Sequence, residues 1–335
     1  MLMESYREGS MKKAVLFICV LCILGAAAYM VFGKMRGKET GGEGNSPSLR
    51  AENPSIGEGE SKGHAPEGPH GPPAEPAGGE VTRLIAEGDS LAEAGGIEGA
   101  RKKYSEALKR IILEGEPVAD RAAVLDTLRD KLRPLNRVIY GDVSRVFDGQ
   151  SYCRVDDLLS RIAGKYRITY QYLAKLNGIP NPNVVRAGRR IKVVHGPFHA
   201  VVDLSDRRLY VFHGEYYYKD YPVSVGKAGR QTPVDRYVVR DKMSDGMPTF
   251  SWTDPDTGEV FRPGDAGFAL GTRWIKLVGD RVGDTSIGIH GRSVADDDKP
   301  LGEAVSRGCI RMRNKDVEEL YDLLVPRYSR VIVQE

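Results

Sequence analysis

Hydrophobic positions change their spacing along the chain, and each change marks a boundary. From Ala14 to Phe32, apolar and small residues run unbroken for nineteen positions without a charge. As a helix, that run is long enough to cross a hydrocarbon core of about 30 Å. Residues 33–80 then carry almost no large apolar side chain and are rich in Gly, Pro, Glu and Ser. Burial in such a segment cannot offset the entropy of ordering it, so a disordered linker is expected. Residues 81–136 return to a helical period: Leu84, Ile85, Gly88 and Leu91, then Ala100, Tyr104, Ala107, Leu108 and Ile111, then Val124, Leu125, Leu128 and Leu132.

Residues 150–195 read as strand, helix, helix, strand. The strands fall at Tyr152 to Val155 and Arg190 to Val194, and the helices at Asp156 to Ala163 and Thr169 to Asn177. From residue 198 to 335 the period shortens to two. Ala200 to Leu204, Arg208 to Phe212, Glu215 to Lys219 and Pro222 to Val225 predict an antiparallel meander, followed by strands at Tyr237 to Arg240, Gly271 to Leu277, Ser286 to His290 and Arg330 to Val333. Val317, Leu320, Tyr321 and Leu324 predict an amphipathic helix with Asn314 as its N-cap. The expected fold class is multidomain α+β: a membrane anchor, a small helical hairpin region, a βααβ module and a mostly-β last domain.

Composition changes this picture little. A net charge of +3 over 335 residues, with no basic block interleaved with aromatics, gives no footprint for nucleic acid. Lys12 and Lys13 precede the apolar run and Lys34, Arg36 and Lys38 follow it, so flanking charge leaves its orientation open. A retained anchor, with residues 1–13 in the cytoplasm, is the expected state; Ala26-Ala27-Ala28 keeps a cleaved signal peptide as the alternative. Cys19 and Cys22 lie inside the run, leaving Cys153 and Cys309 beyond it. A Cys153–Cys309 disulfide would consume a nucleophile, and Cys153 reads as a small buried hydrophobe. The histidines His64, His70, His195, His199 and His213 show no metal-ligand spacing, so neither metal nor other cofactor is expected.

The chemistry concentrates in Ile289-His290-Gly291 and Ser306-Arg307-Gly308-Cys309-Ile310-Arg311-Met312. A thiol needs a neighbouring base to act near neutral pH, and His290 is that base. Gly308 lets backbone N–H groups approach an oxyanion without a Cβ in the way, and Gly291 and Ser306 are candidates for oxyanion or orienting roles beside it.

This stretch resembles the signature of the L,D-transpeptidase catalytic domain of the YkuD type: a histidine, about fifteen intervening residues, then Ser/Thr-His-Gly-Cys, an apolar residue and Arg. Residues 291 to 305 intervene here, Ser306, Gly308, Cys309, Ile310 and Arg311 match, and Arg307 replaces the second histidine. Asp235 likewise stands where the family has the glycine of Thr-Pro-x-Gly. The resemblance implies a peptidoglycan enzyme of the cell envelope, with its body outside the cytoplasmic membrane, that forms 3→3 cross-links through a Cys309 thioester on tetrapeptide stems. Arg307 and Arg311 are then candidates for binding stem carboxylates; for Arg311 an ion pair with Asp316 or Glu319 is the alternative. Trp274 and Tyr217 read as core. The alternatives in function are an L,D-carboxypeptidase, attachment of a protein amine to the wall, or a peptidoglycan-binding protein without activity.

Residues 150–195 resemble a LysM module through their βααβ order and the Leu176-Asn177-Gly178-Ile179-Pro180-Asn181 turn. That resemblance implies glycan contacts at Asp156, Asn177, Gly178 and Ile179. Residues 81–136 resemble one tetratricopeptide-type helix pair, which implies a spacer or a surface for a protein partner.

Overall fold

The computed structural model describes residues 79–335. The expected anchor, and the linker up to residue 78, lie outside the described residues. Among the described residues, no helix is long and apolar enough to cross a membrane.

The first described element, α1 (Gly79–Glu93), begins inside the stretch expected to be linker; α2 (Ile97–Leu113) and α3 (Arg121–Gly141) follow. Gly88 permits the close crossing of α1 and α2, because a Cβ there would lie 2.4 Å from the Tyr104 ring. Next come β1 (Gln150–Arg154), α4 (Leu159–Lys165), α5 (Tyr170–Leu176) and β2 (Arg190–Val194), with β1 and β2 antiparallel. Thr169 caps α5, its hydroxyl accepting the Tyr172 N–H at 3.1 Å.

The last domain runs β3 (Phe198–Asp203), β4 (Arg208–His213), β5 (Tyr216–Pro222), β6 (Val225–Gly226), β7 (Asp235–Ser244), β8 (Trp252–Thr253), β9 (Val260–Phe261), β10 (Arg273–Gly279), β11 (Gly288–His290), β12 (Ala304–Ser306), β13 (Ile310–Arg311), α6 (Asn314–Leu323) and β14 (Arg330–Gln334). Eight strands form one sheet in the order β13-β11-β10-β7-β14-β3-β4-β5. The meander and the strands entering the site match the period-two reading. The short β8–β9 hairpin, β12 and β13 do not emerge from it, because two or three residues are too few to show an alternation.

Alternate residues of β3 and β4 feed two different cores, as the pleat requires. Ala200, Val202, Leu209 and Val211 join a core shared with the βααβ module and α6, whereas Val201, Tyr210 and Phe212 pack against α1, α2 and α3. This finding revises the reading of the helical region. Its apolar face covers the sheet, and it also closes the edge at β5: Ser105 Oγ accepts the Tyr217 N–H at 3.2 Å, and Asn136 Nδ2 donates to the Tyr217 and Tyr218 carbonyls at 2.9 Å each. An open strand edge is a template for aggregation, and these side chains remove it. Tyr217 is core as expected, fully buried, with its hydroxyl donating to Asp220 at 2.5 Å.

A polar chain ties the three parts together at one point. Arg101, 1% exposed, donates to Tyr140 Oη at 2.6 Å; the Tyr140 hydroxyl lies 2.9 Å from His213 Nδ1; and His213 Nε2 donates to the His195 carbonyl at 3.1 Å. Lys192 is equally buried and places Nζ 2.7 Å from the carbonyls of Ile139 and Asp142 at the end of α3. Near the site, Asp235 has a structural task. Burial pushes its carboxyl up, but the N–H groups of Val282, Arg281 and Arg236 outweigh that and hold it at about 2.

Candidate active site

Strands β11 and β13 run parallel, pairing Ile289 with Ile310 and His290 with Arg311. That register sets Cys309 beside Gly288. The Cys309 thiol faces the Ser286 carbonyl at 3.4 Å, and the Gly288 N–H points at its sulfur. Gly288 must lack a side chain, since a Cβ would stand 2.5 Å from the Trp274 ring and 2.7 Å from the Ile275 carbonyl. Cys153 and Cys309 are both free thiols, and Cys153 is packed partly into the core.

His290 is 3% exposed, with Nδ1 2.7 Å from the Gly291 carbonyl. A carbonyl can only accept, so Nδ1 carries the proton and Nε2 keeps its lone pair. Burial, with the Arg311 cation nearby, lowers the imidazole pKa to about 3 against the pull of the Gly291 and Ala269 carbonyls. Burial also pushes the Cys309 thiol up, opposed by the Gly288 N–H and Arg311. Thiol and imidazole are therefore both neutral at rest, on the walls of one cavity. Desolvation disfavours both charged forms.

The turn before Cys309 is built by Ser306, which is fully buried. Its hydroxyl donates to the Cys309 carbonyl at 2.5 Å and accepts the Gly308 N–H at 3.1 Å. Gly308 has φ of +117°, a region that favours glycine. Its N–H is thus engaged by Ser306. The N–H of Cys309 remains without an acceptor among the described residues.

Cys309 and His290 line one cavity of about 720 Å³, together with Trp252, Trp274, Arg307 and Arg311. Trp274 packs partly into a small core with Phe250, Phe268 and Leu270, as expected, and also walls the cavity, its ring 5.7 Å from the imidazole. Arg307 also meets acidic partners within the chain. Its guanidinium lies 3.3 Å from both Asp254 carboxylate oxygens and 2.7 Å from Asp256, both on the turn of the β8–β9 hairpin. Arg311 has neither of the ion pairs considered for it; Glu319 is instead paired with Lys219 at 2.5 Å.

In the βααβ module, the Asn177 side chain is buried and committed to the Leu173 carbonyl, the Lys192 carbonyl and the Lys192 N–H at 3.0, 2.8 and 2.7 Å. Ile179 is buried too, so both are withdrawn from an external glycan, while Asp156 and Gly178 stay exposed. The short α5 ends at Asn177, and its side chain is needed to join that end to β2.

Sequence reasoning missed a second role for Asn314. The helix starts at Asn314 itself, after Arg313, whose side chain makes no capping bond. Asn314 Oδ1 accepts the N–H of Thr272 at 3.1 Å and of Arg292 at 3.2 Å, and Nδ2 donates to the Arg292 carbonyl at 3.0 Å, fixing the chain just after His290 and Gly291. The only sequence signal is an Asn close behind the Cys motif. Asp297, in the stretch between His290 and Cys309, is tied to the same helix end: its Oδ1 accepts the Asn314 N–H at 2.7 Å.

Comparison with known proteins agrees with this geometry. The profile of the YkuD family, the L,D-transpeptidase catalytic domain, matches residues 197–333, and that of the LysM domain matches residues 154–194. A Bacillus licheniformis protein bearing the name L,D-transpeptidase YkuD is 32% identical over 53% of this chain and 93% of its own length. Its Bacillus subtilis namesake is 29% identical over the same shares. The solved structure of Bdellovibrio bacteriovorus Bd1075 is 21% identical, with a TM-score of 0.31; the match covers 42% of this chain and about half, 48%, of that one. The family profile spans the thiol and imidazole, and the Bacillus licheniformis relative aligns over nearly its whole length, so this chain belongs to the YkuD family of L,D-transpeptidases and is an enzyme of that class.

Proposed function

We propose that the enzyme joins peptidoglycan tetrapeptide stems by 3→3 cross-links through a thioester on Cys309. The observation that carries this reading is the pairing of a free thiol with an imidazole whose Nδ1 is committed to Gly291, both facing one cavity of about 720 Å³. Cys309 attacks the carbonyl of the third stem residue as its proton passes to His290 Nε2. The C–N bond breaks, and the same proton goes to the departing amine of the terminal D-residue. An amine of a second stem then attacks the thioester and gives a proton to His290. The C–S bond breaks, and the proton returns to the thiolate.

The Cys309 N–H is the oxyanion donor in this scheme, and Ser306 positions it by holding the Cys309 carbonyl at 2.5 Å. The neutral resting pair suits proton transfer in concert with attack. The LysM module supports an envelope setting, with Asp156 and Gly178 as the exposed glycan contacts; anchoring by residues 14–32 belongs to the same proposal.

Mass spectrometry of the full chain with a purified disaccharide tetrapeptide tests the reading. A cross-linked dimer made by the native chain and absent with Cys309→Ala is expected. Loss of the terminal residue without a dimer would assign an L,D-carboxypeptidase, and no product at all would leave a wall-binding protein.

A further inference from the structure

A second cavity of about 500 Å³ adjoins the catalytic one, and Ala269, Val305 and Arg311 belong to the walls of both. Arg292 and Lys299 complete its cationic side. Arg292 directly follows Gly291 and is 8% exposed. Its guanidinium donates to the carbonyls of Asp297, Lys299 and Pro300 at 2.8, 2.7 and 3.5 Å, while its Nε is buried without a partner. The Arg311 Nε is buried and unpartnered as well. Asp296 is occupied by Ser293 at 2.8 Å and by Lys299 at 2.5 Å. Among the described residues, neither Arg292 nor Arg311 has a carboxylate within ion-pair distance; the acidic residues near them serve other partners or face solvent. Asp296 and Glu303 line the same cavity, and Asp296 acts on Arg311 through space, but neither carboxylate is in ion-pair contact with a guanidinium, and two withdrawn cations without a paired anion are costly unless a ligand brings one.

We propose that this cavity is an anion subsite in which Arg292 and Arg311 hold a stem carboxylate next to the reacting amide or amine, so that the enzyme selects free carboxylates over carboxamides. The planar fork of Arg311, whose side chain donates to no described residue, fits a carboxylate in two parallel hydrogen bonds, and Arg292, with its Nη groups held by carbonyls, adds its charge and its Nε–H; a carboxamide cannot match this in charge or in acceptor count. The subsite rests on the transpeptidase reading above, and it moves the carboxylate contact from Arg307, already paired with Asp254 and Asp256, to Arg292. The carboxylate belongs to the donor or to the acceptor stem, and the two differ in the step they govern.

The test uses the full chain with two pairs of synthetic stems, each pair identical except that the side chain of the third residue ends in a carboxylate or a carboxamide. Acylation of Cys309 is followed by intact mass for the donor pair, and transfer to the amine by chromatography for the acceptor pair. The native enzyme is expected to prefer the acid by about tenfold or more in one step, and that step names the source. Arg292→Gln and Arg311→Gln are each expected to bring the ratio near one, and Arg292→Lys to keep part of it. A ratio near one in the native enzyme at both steps overturns the subsite, as does a ratio unchanged in both Gln variants. The second result is what a purely structural role for Arg292 would give, slowing acid and amide alike. No acyl-enzyme from either donor overturns the transpeptidase reading itself, and the subsite with it.

Discussion

Asn314 Oδ1 fills the space where Gly291 would carry a side chain: a Cβ built on that glycine lies 2.0 Å from the amide oxygen. The two residues are one device, since the same oxygen accepts the N–H groups of Thr272 and Arg292 on either side of the strand end that carries His290. Gly291→Ala must push the carboxamide away and so release those bonds. Overpacking of this kind costs about 1–3 kcal/mol. The expected outcome is a lower unfolding temperature and a large loss of turnover. Adding Asn314→Ala removes the clash, and the double variant is expected to regain stability relative to Gly291→Ala without regaining turnover. Thermal unfolding and cross-linking rates of the three variants check this; equal stability of the single and double variants would refute the clash.

Cys309 and His290 rest as a neutral pair, which the alkylation rate of the free enzyme will show. Burial raises the thiol and lowers the imidazole, so thiolate forms only above the ordinary thiol range near 8.5. Iodoacetamide labelling of Cys309, followed by intact mass, is expected to be slow at pH 7 and to climb steadily beyond pH 8.5. A plateau reached below pH 7 would mean a preformed ion pair instead.

Much of this site can be read along the chain because its members lie close together. Ile289-His290-Gly291 and Ser306 to Met312 each occupy one strand end, and a parallel register of two short strands suffices to join them. What the chain hides is any role set by a distant neighbour. Arg307 looks available until the β8–β9 hairpin places Asp254 and Asp256 beside it. Arg292 looks like a spacer residue until the turn at 297–300 folds its carbonyls onto the guanidinium. Asn177 looks like a glycan contact until β2 takes up its carboxamide. The helical region shows its period clearly, but its partner surface is the face of β3 and β4 opposite the one that packs on the module, and no local pattern reveals that.

The helices α1 to α3 should therefore be indispensable to the catalytic sheet. A fragment starting at residue 150 loses the cover over Val201, Tyr210 and Phe212 and leaves the β5 edge open. Such a fragment is expected to aggregate, as size-exclusion chromatography would show. Asn136→Leu tests the edge alone. It strands the carbonyls of Tyr217 and Tyr218 and is expected to cost about 1–3 kcal/mol in denaturant unfolding.

Acid should unfold the protein through its buried imidazoles. His213 accepts from the Tyr140 hydroxyl at Nδ1, with the Arg101 cation next in line, and its pKa is lowered to about 4, chiefly by burial. Between pH 6.5 and about 4, the unfolded chain binds a proton here that the folded chain refuses, so stability falls as pH falls. His290, lowered to about 3, extends the same loss. Together they are expected to remove a few kcal/mol by pH 4. His213→Gln keeps a polar side chain without a titration, and it should flatten the dependence in urea unfolding measured from pH 7 to 4. An unchanged slope would show that His213 is protonated as readily in the fold as out of it.

Arg307 should matter for the hairpin rather than for stability. Its pairs with Asp254 and Asp256 lie near the surface, and exposed pairs contribute about 0–1 kcal/mol each. Arg307→Ala is therefore expected to leave the unfolding free energy within about 1 kcal/mol. The hairpin itself has few other ties to the turn before Cys309: Trp252 stacks on Phe261 at 5.7 Å, within its own two strands. Without Arg307, amide exchange over residues 254–259 is expected to rise, most at low salt, where the native pairs are least screened. Because Trp252 and Thr253 wall the catalytic cavity, KM should rise more than kcat falls. Arg307→Lys should restore part of the protection. If exchange stays at the native rate in Arg307→Ala, the ion pairs do not hold the hairpin, and Arg307 would again be free to meet a substrate carboxylate.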